Sequence, residues 1–199
     1  MSVATNLTAP QALDADGFLQ SVDMKVGAYT LDATTIPVPG ARHVTLGHTA
    51  VGTADTLGTV TIVGKNLAGE TITEVLTPVS GTTVTGAEWF ASLISATGAG
   101  WVIDAVEATA DTIVIGYGAD SVIAIGSGTL ERVIVAKTAA GTVVLEDIGG
   151  TIATLKASIV EGSYEFGVPF SGYLTATLGA ASDVTVVHSG SLPQTYAMA

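Results

Sequence analysis

In Thr59-Val60-Thr61-Ile62-Val63, and again in Asp183-Val184-Thr185-Val186-Val187, apolar side chains alternate with threonines. A period of two puts one set on a buried face and the other on a wetter face, so both runs predict β-strands. From about Val26 onward short β-branched runs recur between glycines, about every 8–12 residues, the rhythm of sandwiches and barrels. Further strands are predicted at His43–Thr49, Glu70–Leu76, Phe90–Ala96, Trp101–Glu107 and Thr112–Tyr117. Later in the chain they are predicted at Arg132–Lys137, Thr142–Glu146, Ile152–Ser158, Ser163–Val168 and Tyr173–Leu178. Little room is left for helix.

The first 25 residues follow no such period. Pro10, Asp14, Asp16 and Gly17 interrupt it, and Phe18, Leu19, Val22 and Met24 are its apolar anchors. The fold expected is therefore all-β, with two antiparallel β-sandwich or jelly-roll-like modules and an extended N-terminal arm over 1–25. The larger module covers 26–118 and a smaller C-terminal one 119–199, with a short tail from Leu192. The boundary falls in Gly116-Tyr117-Gly118-Ala119-Asp120, where a strand gives way to small and acidic residues; Gly126-Ser127-Gly128 is the alternative. Ile62–Gly69 laid over Ile134–Gly141 suggests an internal repeat, each reading as a hairpin whose loop offers Gly for a positive φ.

Composition narrows the function classes. The chain has 199 residues, 48% of them hydrophobic, and a mean hydropathy of +0.57, which closes the low-hydrophobicity route to disorder. Eighteen acidic against 6 basic residues give a net charge of −12, and Lys25, Arg42, Lys65, Arg132, Lys137 and Lys156 stand singly. Phosphate backbones need clustered cations, so nucleic acid is not an expected partner. No cysteine is present, which removes disulfides, thiolate metal sites and a thiol nucleophile together. The N-terminal stretch lacks the basic and apolar regions of a secretory signal, and no apolar run approaches a membrane span. A soluble protein, with no membrane partner, is expected.

Candidate chemistry is sparse. Gly58–Asn66 superficially resembles a phosphate-binding loop, but the glycine spacing is one too long, Asn66 replaces the magnesium-binding hydroxyl, and the interior alternates as a strand. No G-x-S-x-G elbow occurs; Ser127 sits in Gly-Ser-Gly. His43 and His48, five apart on a strand, point to opposite faces, and His188 shares the face of Val184 and Val186 as a packed or interface residue. Asp104, Glu107 and Asp111 could offer oxygen ligands to a hard cation, but read first as solvated turn acids, as do Glu146 and Asp147. Glu161 and Glu165 around Tyr164 are spaced like polar positions of a strand edge rather than a hydrolase pair. Asn6-Leu7-Thr8 matches a glycosylation sequon without a secretory signal. The aromatics Trp89, Phe90, Trp101, Tyr164, Phe166, Phe170 and Tyr173 read first as core plugs and second as a protein or glycan contact. No catalytic residue, cofactor or metal is expected.

Val60-Thr61-Ile62-Val63-Gly64-Lys65-Asn66-Leu67-Ala68-Gly69-Glu70-Thr71-Ile72-Thr73-Glu74, followed by Gly86-Ala87-Glu88-Trp89-Phe90-Ala91-Ser92-Leu93, resembles a β-rich module of tailed-bacteriophage virion proteins. Ile152–Gly162, Tyr164-Glu165-Phe166 and Ser182–Val187 are similar to modules that end such proteins. These stretches cover about half the chain and look most like small head-decoration, or capsid cement, proteins. The resemblance implies a non-enzymatic virion protein, made in the bacterial host cytoplasm and bound to the outer surface of the capsid, where it stabilises capsomer joints. It implies the major capsid protein as partner and a homotrimer as the assembly. The arm would then reach over neighbouring subunits through Leu7, Phe18, Leu19, Val22 and Met24. Alternatives are a neck, tail or fibre component gripping a receptor through Tyr164, Phe170 or Tyr173, and a carbohydrate-binding or hydrolytic β-domain using Trp89 and Trp101.

Overall fold

A computed structural model of the chain describes residues 1–7, 13–36, 40–51, 55–104, 109–119, 121–137, 141–180 and 183–190. Among these residues it is all-β, without helix. One compact unit holds β2 (Asp14–Asp23), β3 (Gly27–Tyr29), β4 (Arg42–Thr49), β5 (Thr59–Lys65), β6 (Thr71–Leu76), β7 (Thr83–Phe90), β8 (Ser92–Ala99) and β9 (Thr112–Tyr117). The other begins with β1 (Ser2–Leu7) and continues after β9 with β10 (Val122–Ile125), β11 (Gly128–Lys137), β12 (Val143–Asp147) and β13 (Gly150–Leu155). It ends with β14 (Gly162–Phe170), β15 (Tyr173–Leu178) and β16 (Asp183–Gly190).

Each unit consists of two four-stranded sheets, and the two units share one strand order. In the β2–β9 unit the sheets run β2-β9-β4-β7 and β3-β8-β5-β6; in the other they run β1-β16-β11-β14 and β10-β15-β12-β13. With the strands of either unit counted one to eight, the first pairs antiparallel with the eighth, the second with the seventh, the third with the sixth and the fourth with the fifth. That is a long hairpin rolled upon itself, the eight-stranded jelly roll. The β2–β9 roll lies, along the chain, between the first and second strands of the other.

The expected N-terminal arm is therefore corrected. Ser2–Leu7 is the first strand of the C-terminal roll, in register from Ser2 opposite Ser189 to Leu7 opposite Val184. Asp14–Asp23 is the first strand of the β2–β9 roll, paired with β9 across two register shifts. Residues 8–12, and with them Pro10 and Thr8, lie outside the described residues, as does the expected tail from Leu192. The proposed alignment of Ile62–Gly69 with Ile134–Gly141 also fails. The first spans the β5–β6 hairpin, where Asn66 Oδ1 accepts the N–H groups of Ala68 and Glu70 and Gly69 takes φ +79°. The second leaves β11, whose partners are β14 and β16, and enters the other sheet at β12. The counterpart of β5–β6 is β12–β13. The repetition lies in the strand order, displaced by one strand from the residue likeness.

Two further expected strands change. Phe90–Ala96 straddles the break between β7 and β8. Of Trp101–Glu107, Val102 forms an isolated bridge with Thr56 and residues 105–107 lie outside the described set. Inward side chains build one core per roll. Phe18, Leu46, Ile62, Phe90, Ile113 and Ile115 anchor the first, and Leu7, Leu130, Leu145, Leu174, Val184 and Val186 the second. Each such fully buried side chain contributes about 1.5–3 kcal/mol.

Candidate interaction surface

The five residues expected to touch a partner lie chiefly in the cores. Leu7 is packed into the C-terminal roll, and Phe18, Leu19 and Met24 into the other, all at 1% exposure or less. Val22 is half-buried against the same core as Phe18. The cause is the pairing of β1 and β2 with β16 and β9, which turns their apolar residues inward. Leu19 and Val22 do line an open cleft of about 520 Å³, with Asp23, Lys25, Tyr29 and Thr30. On its polar wall the Tyr29 hydroxyl accepts the Lys25 N–H at 2.9 Å, and the Lys25 ammonium lies 5.5 Å from the ring centroid. Burial raises the Tyr29 hydroxyl above its ordinary pKa, opposed by the Lys25 backbone hydrogen bond.

His43 and His48 face opposite sides of β4, as their spacing predicts. His48 is buried, and its Nδ1 accepts the Gly81 N–H at 3.1 Å, so the ring proton sits on Nε2 and is donated to Asp111 Oδ2 at 3.0 Å. Asp111 is thus no solvated turn acid: it is 1% exposed and its Oδ1 accepts the Val51 N–H at 2.7 Å. Buried Asp55 continues the network, accepting the Asp111 N–H at 2.8 Å and the Asp104 N–H at 2.5 Å. Glu107 lies outside the described residues. Sequence reading missed Asp55 entirely, because a lone acid in a loop carries no pattern. The carboxylates of Asp111 and Asp55 hold loops to strand ends.

Arg42, Tyr117 and Asp147 are engaged within the fold as well. Arg42, 2% exposed, donates to the Gly118 carbonyl at 3.1 Å and lies 4.9 Å from the Tyr117 ring centroid, and Tyr117 donates to Asp14 at 3.1 Å. The Tyr117 hydroxyl is raised by burial and by Asp14, with Arg42 acting against both. Asp147 accepts the N–H groups of Ser171 at 2.9 Å and Gly149 at 2.8 Å, and these hold its carboxyl below the ordinary range. No group of three or more metal-ligating side chains occurs among the described residues.

The aromatics divide. Phe90, Trp101 and Phe170 are buried, and Tyr164 and Phe166 pack against the C-terminal core. Trp89 instead stacks on His43, centroids 3.6 Å apart and planes at 33°, with both side chains half-exposed. On the outward face of β3-β8-β5-β6, Ala28, Thr97, Thr61 and Val75 stand opposite one another in a single row across four strands. Ser95, Val63 and Thr73 form the next row. No protein-family model, curated protein or solved structure matches the chain.

Proposed function

We propose that this is a non-enzymatic structural protein of a tailed-bacteriophage virion, and specifically a head-decoration protein on the outer capsid surface that stabilises capsomer joints. The observation that carries the reading is the division of labour in the chain: the His48–Asp111–Asp55 network is spent inside the fold, while short, mostly neutral side chains make the outward face of the β3-β8-β5-β6 sheet. Jelly rolls recur in viral capsid and lectin domains, and the phage-like residues of β5–β6, β13 and β16 favour the first setting. Made in the host cytoplasm, the protein would attach to the major capsid protein through sheet faces rather than through the N-terminal segment, whose apolar residues are used in the cores. Area buried across a joint opposes outward pressure, and several copies acting together make modest contacts tight.

Quantitative mass spectrometry of particles produced from a genome carrying this sequence tests the reading. Hundreds of copies per particle fit decoration, and a few copies fit a neck, tail or fibre part. Absence from particles rejects a virion role. One observation favours a second reading: the His43–Trp89 stack offers an aromatic platform for a sugar ring. Binding on a glycan array that is lost in Trp89→Ala supports that reading.

A further inference from the structure

We propose that the outward face of the β3-β8-β5-β6 sheet docks on the same face of a second copy of this chain, an inference that rests on the reading that the protein works through its sheet faces. Alternation sends Val60, Ile62 and Gly64 inward, and leaves Thr59, Thr61, Val63 and Lys65 outward. On β6 the outward residues are Thr71, Thr73 and Val75, and on β8 they include Ser95, Thr97 and Ala99. Val75 is 58% exposed and Ile94, at the β8 bulge, 52%. The single charge is Lys65 at the end of its strand, whose Nζ donates to the Gly69 carbonyl at 3.0 Å. Glu74 points the other way, opposite Ile62, and accepts the Ala87 N–H at 2.5 Å.

The other three sheets all carry acids. Asp14, Asp16 and Asp23 lie on β2 and Glu88 on β7; Glu131, Glu165 and Asp183 lie in the sheet of β1; Glu146 and Asp147 lie on β12. In a chain of net charge −12, the acid-free face is therefore a local exception, and charge decides what it suits. A cationic partner would be drawn to the acid-bearing sheets. A partner of the same negative sign can approach closely only where the carboxylates are absent, and a second copy has that sign by necessity. The short side chains permit sheet-on-sheet packing at about 10 Å, with strands within about 30° of alignment. Identical faces meeting across a two-fold axis close as a pair, where the resemblance to decoration proteins implied three. Four strands at about 4.8 Å spacing form a patch small beside the roughly 800 Å² per partner of a stable complex, so the pair is reversible.

Sedimentation velocity of the full chain, from micromolar to submillimolar concentration, tests this. The expected result is a monomer–dimer equilibrium that tightens as salt rises, because screening relieves repulsion between the acidic copies. Thr61→Glu, at the centre of the face, weakens the pair at least tenfold, as does Val75→Glu on the edge strand; Thr154→Glu in the other roll leaves it unchanged. Unaltered thermal unfolding identifies variants that remain folded. A chain monomeric at every concentration, or a dimer indifferent to both folded variants, overturns the proposal. If the wild type is monomeric while Thr61→Glu loses attachment to particles, the face serves a virion partner, and self-pairing fails while the proposed function stands. Dimers that never attach to particles give the converse.

Discussion

His48 Nε2 and Asp111 Oδ2 meet at 3.0 Å with both side chains buried, joining the end of β4 to the residue before β9. The pair is asymmetric. The Gly81 N–H occupies His48 Nδ1, while Asp111 accepts from both His48 and Val51. Asp111→Asn keeps the shape but turns one acceptor into a donor facing an N–H group. Asp111→Ala leaves the buried His48 Nε2–H and the part-buried Val51 N–H without this partner. Each variant is expected to lose about 2–4 kcal/mol, read by urea unfolding of the full chain with the fluorescence of Trp89 and Trp101 as the probe. A loss below about 0.5 kcal/mol would show that the network holds nothing.

Leu7 makes β1 an integral strand rather than a tether. Leu7→Ala removes a fully buried side chain from the C-terminal roll and is expected to cost about 2–5 kcal/mol. Hydrogen exchange should quicken in β11 and β16 and stay unchanged in β4 and β9. Unchanged exchange throughout would restore the idea of an independent arm.

The short apolar and β-branched runs were legible from the sequence: Thr112–Tyr117 and Tyr173–Leu178 match β9 and β15 residue for residue. The first strand of each roll, β1 and β2, was not. Ser2–Leu7 pairs with residues more than 170 positions away, so no local turn announces it, and the Asp and Gly residues of β2 that disrupt the period accompany real register shifts. The jelly-roll order was readable only as a class, because which strands pair depends on long-range contacts. Of the site residues, apolar character marked Phe18, Leu19, Val22 and Met24 as anchors, but it cannot tell a core from a partner, and it put Leu7 on a partner surface where the structure has it in a core. Asp111 was noticed but read as solvated, since nothing in the sequence joins it to His48.

His188 gives the C-terminal roll a dependence on pH. It is 3% exposed, lies edge-on to Phe170 at 6.1 Å, and neither ring nitrogen has a hydrogen-bond partner. Burial holds its pKa below the ordinary value, with Glu131 opposing. The unfolded chain therefore binds the proton first. The stabilisation is complete above about pH 6.5 and is lost as pH falls from there toward the lower folded value. His188→Leu should gain stability relative to the wild type as pH drops from about 8 to about 5, measured as the difference in urea midpoints. A constant difference contradicts the assignment.

Gly116 shows how closely β2 and β9 approach. A Cβ there would fall 1.9 Å from the Asp14 carbonyl oxygen, so Gly116→Ala must push the strands apart. At Gly69 the space is open but φ is +79°, and alanine costs about 1–2 kcal/mol for the left-handed backbone alone. Thermal unfolding should rank Gly116→Ala well below Gly69→Ala. Equal losses would contradict the tight β2–β9 pairing.

The most direct test of the functional account is a cryo-EM reconstruction of the native particle with this chain traced by its side-chain density. The account predicts many copies on the outer icosahedral shell, each folded as two jelly rolls with β1 in the C-terminal roll and sheet faces against the capsid. Density confined to the neck or tail, or none on any particle, would contradict it.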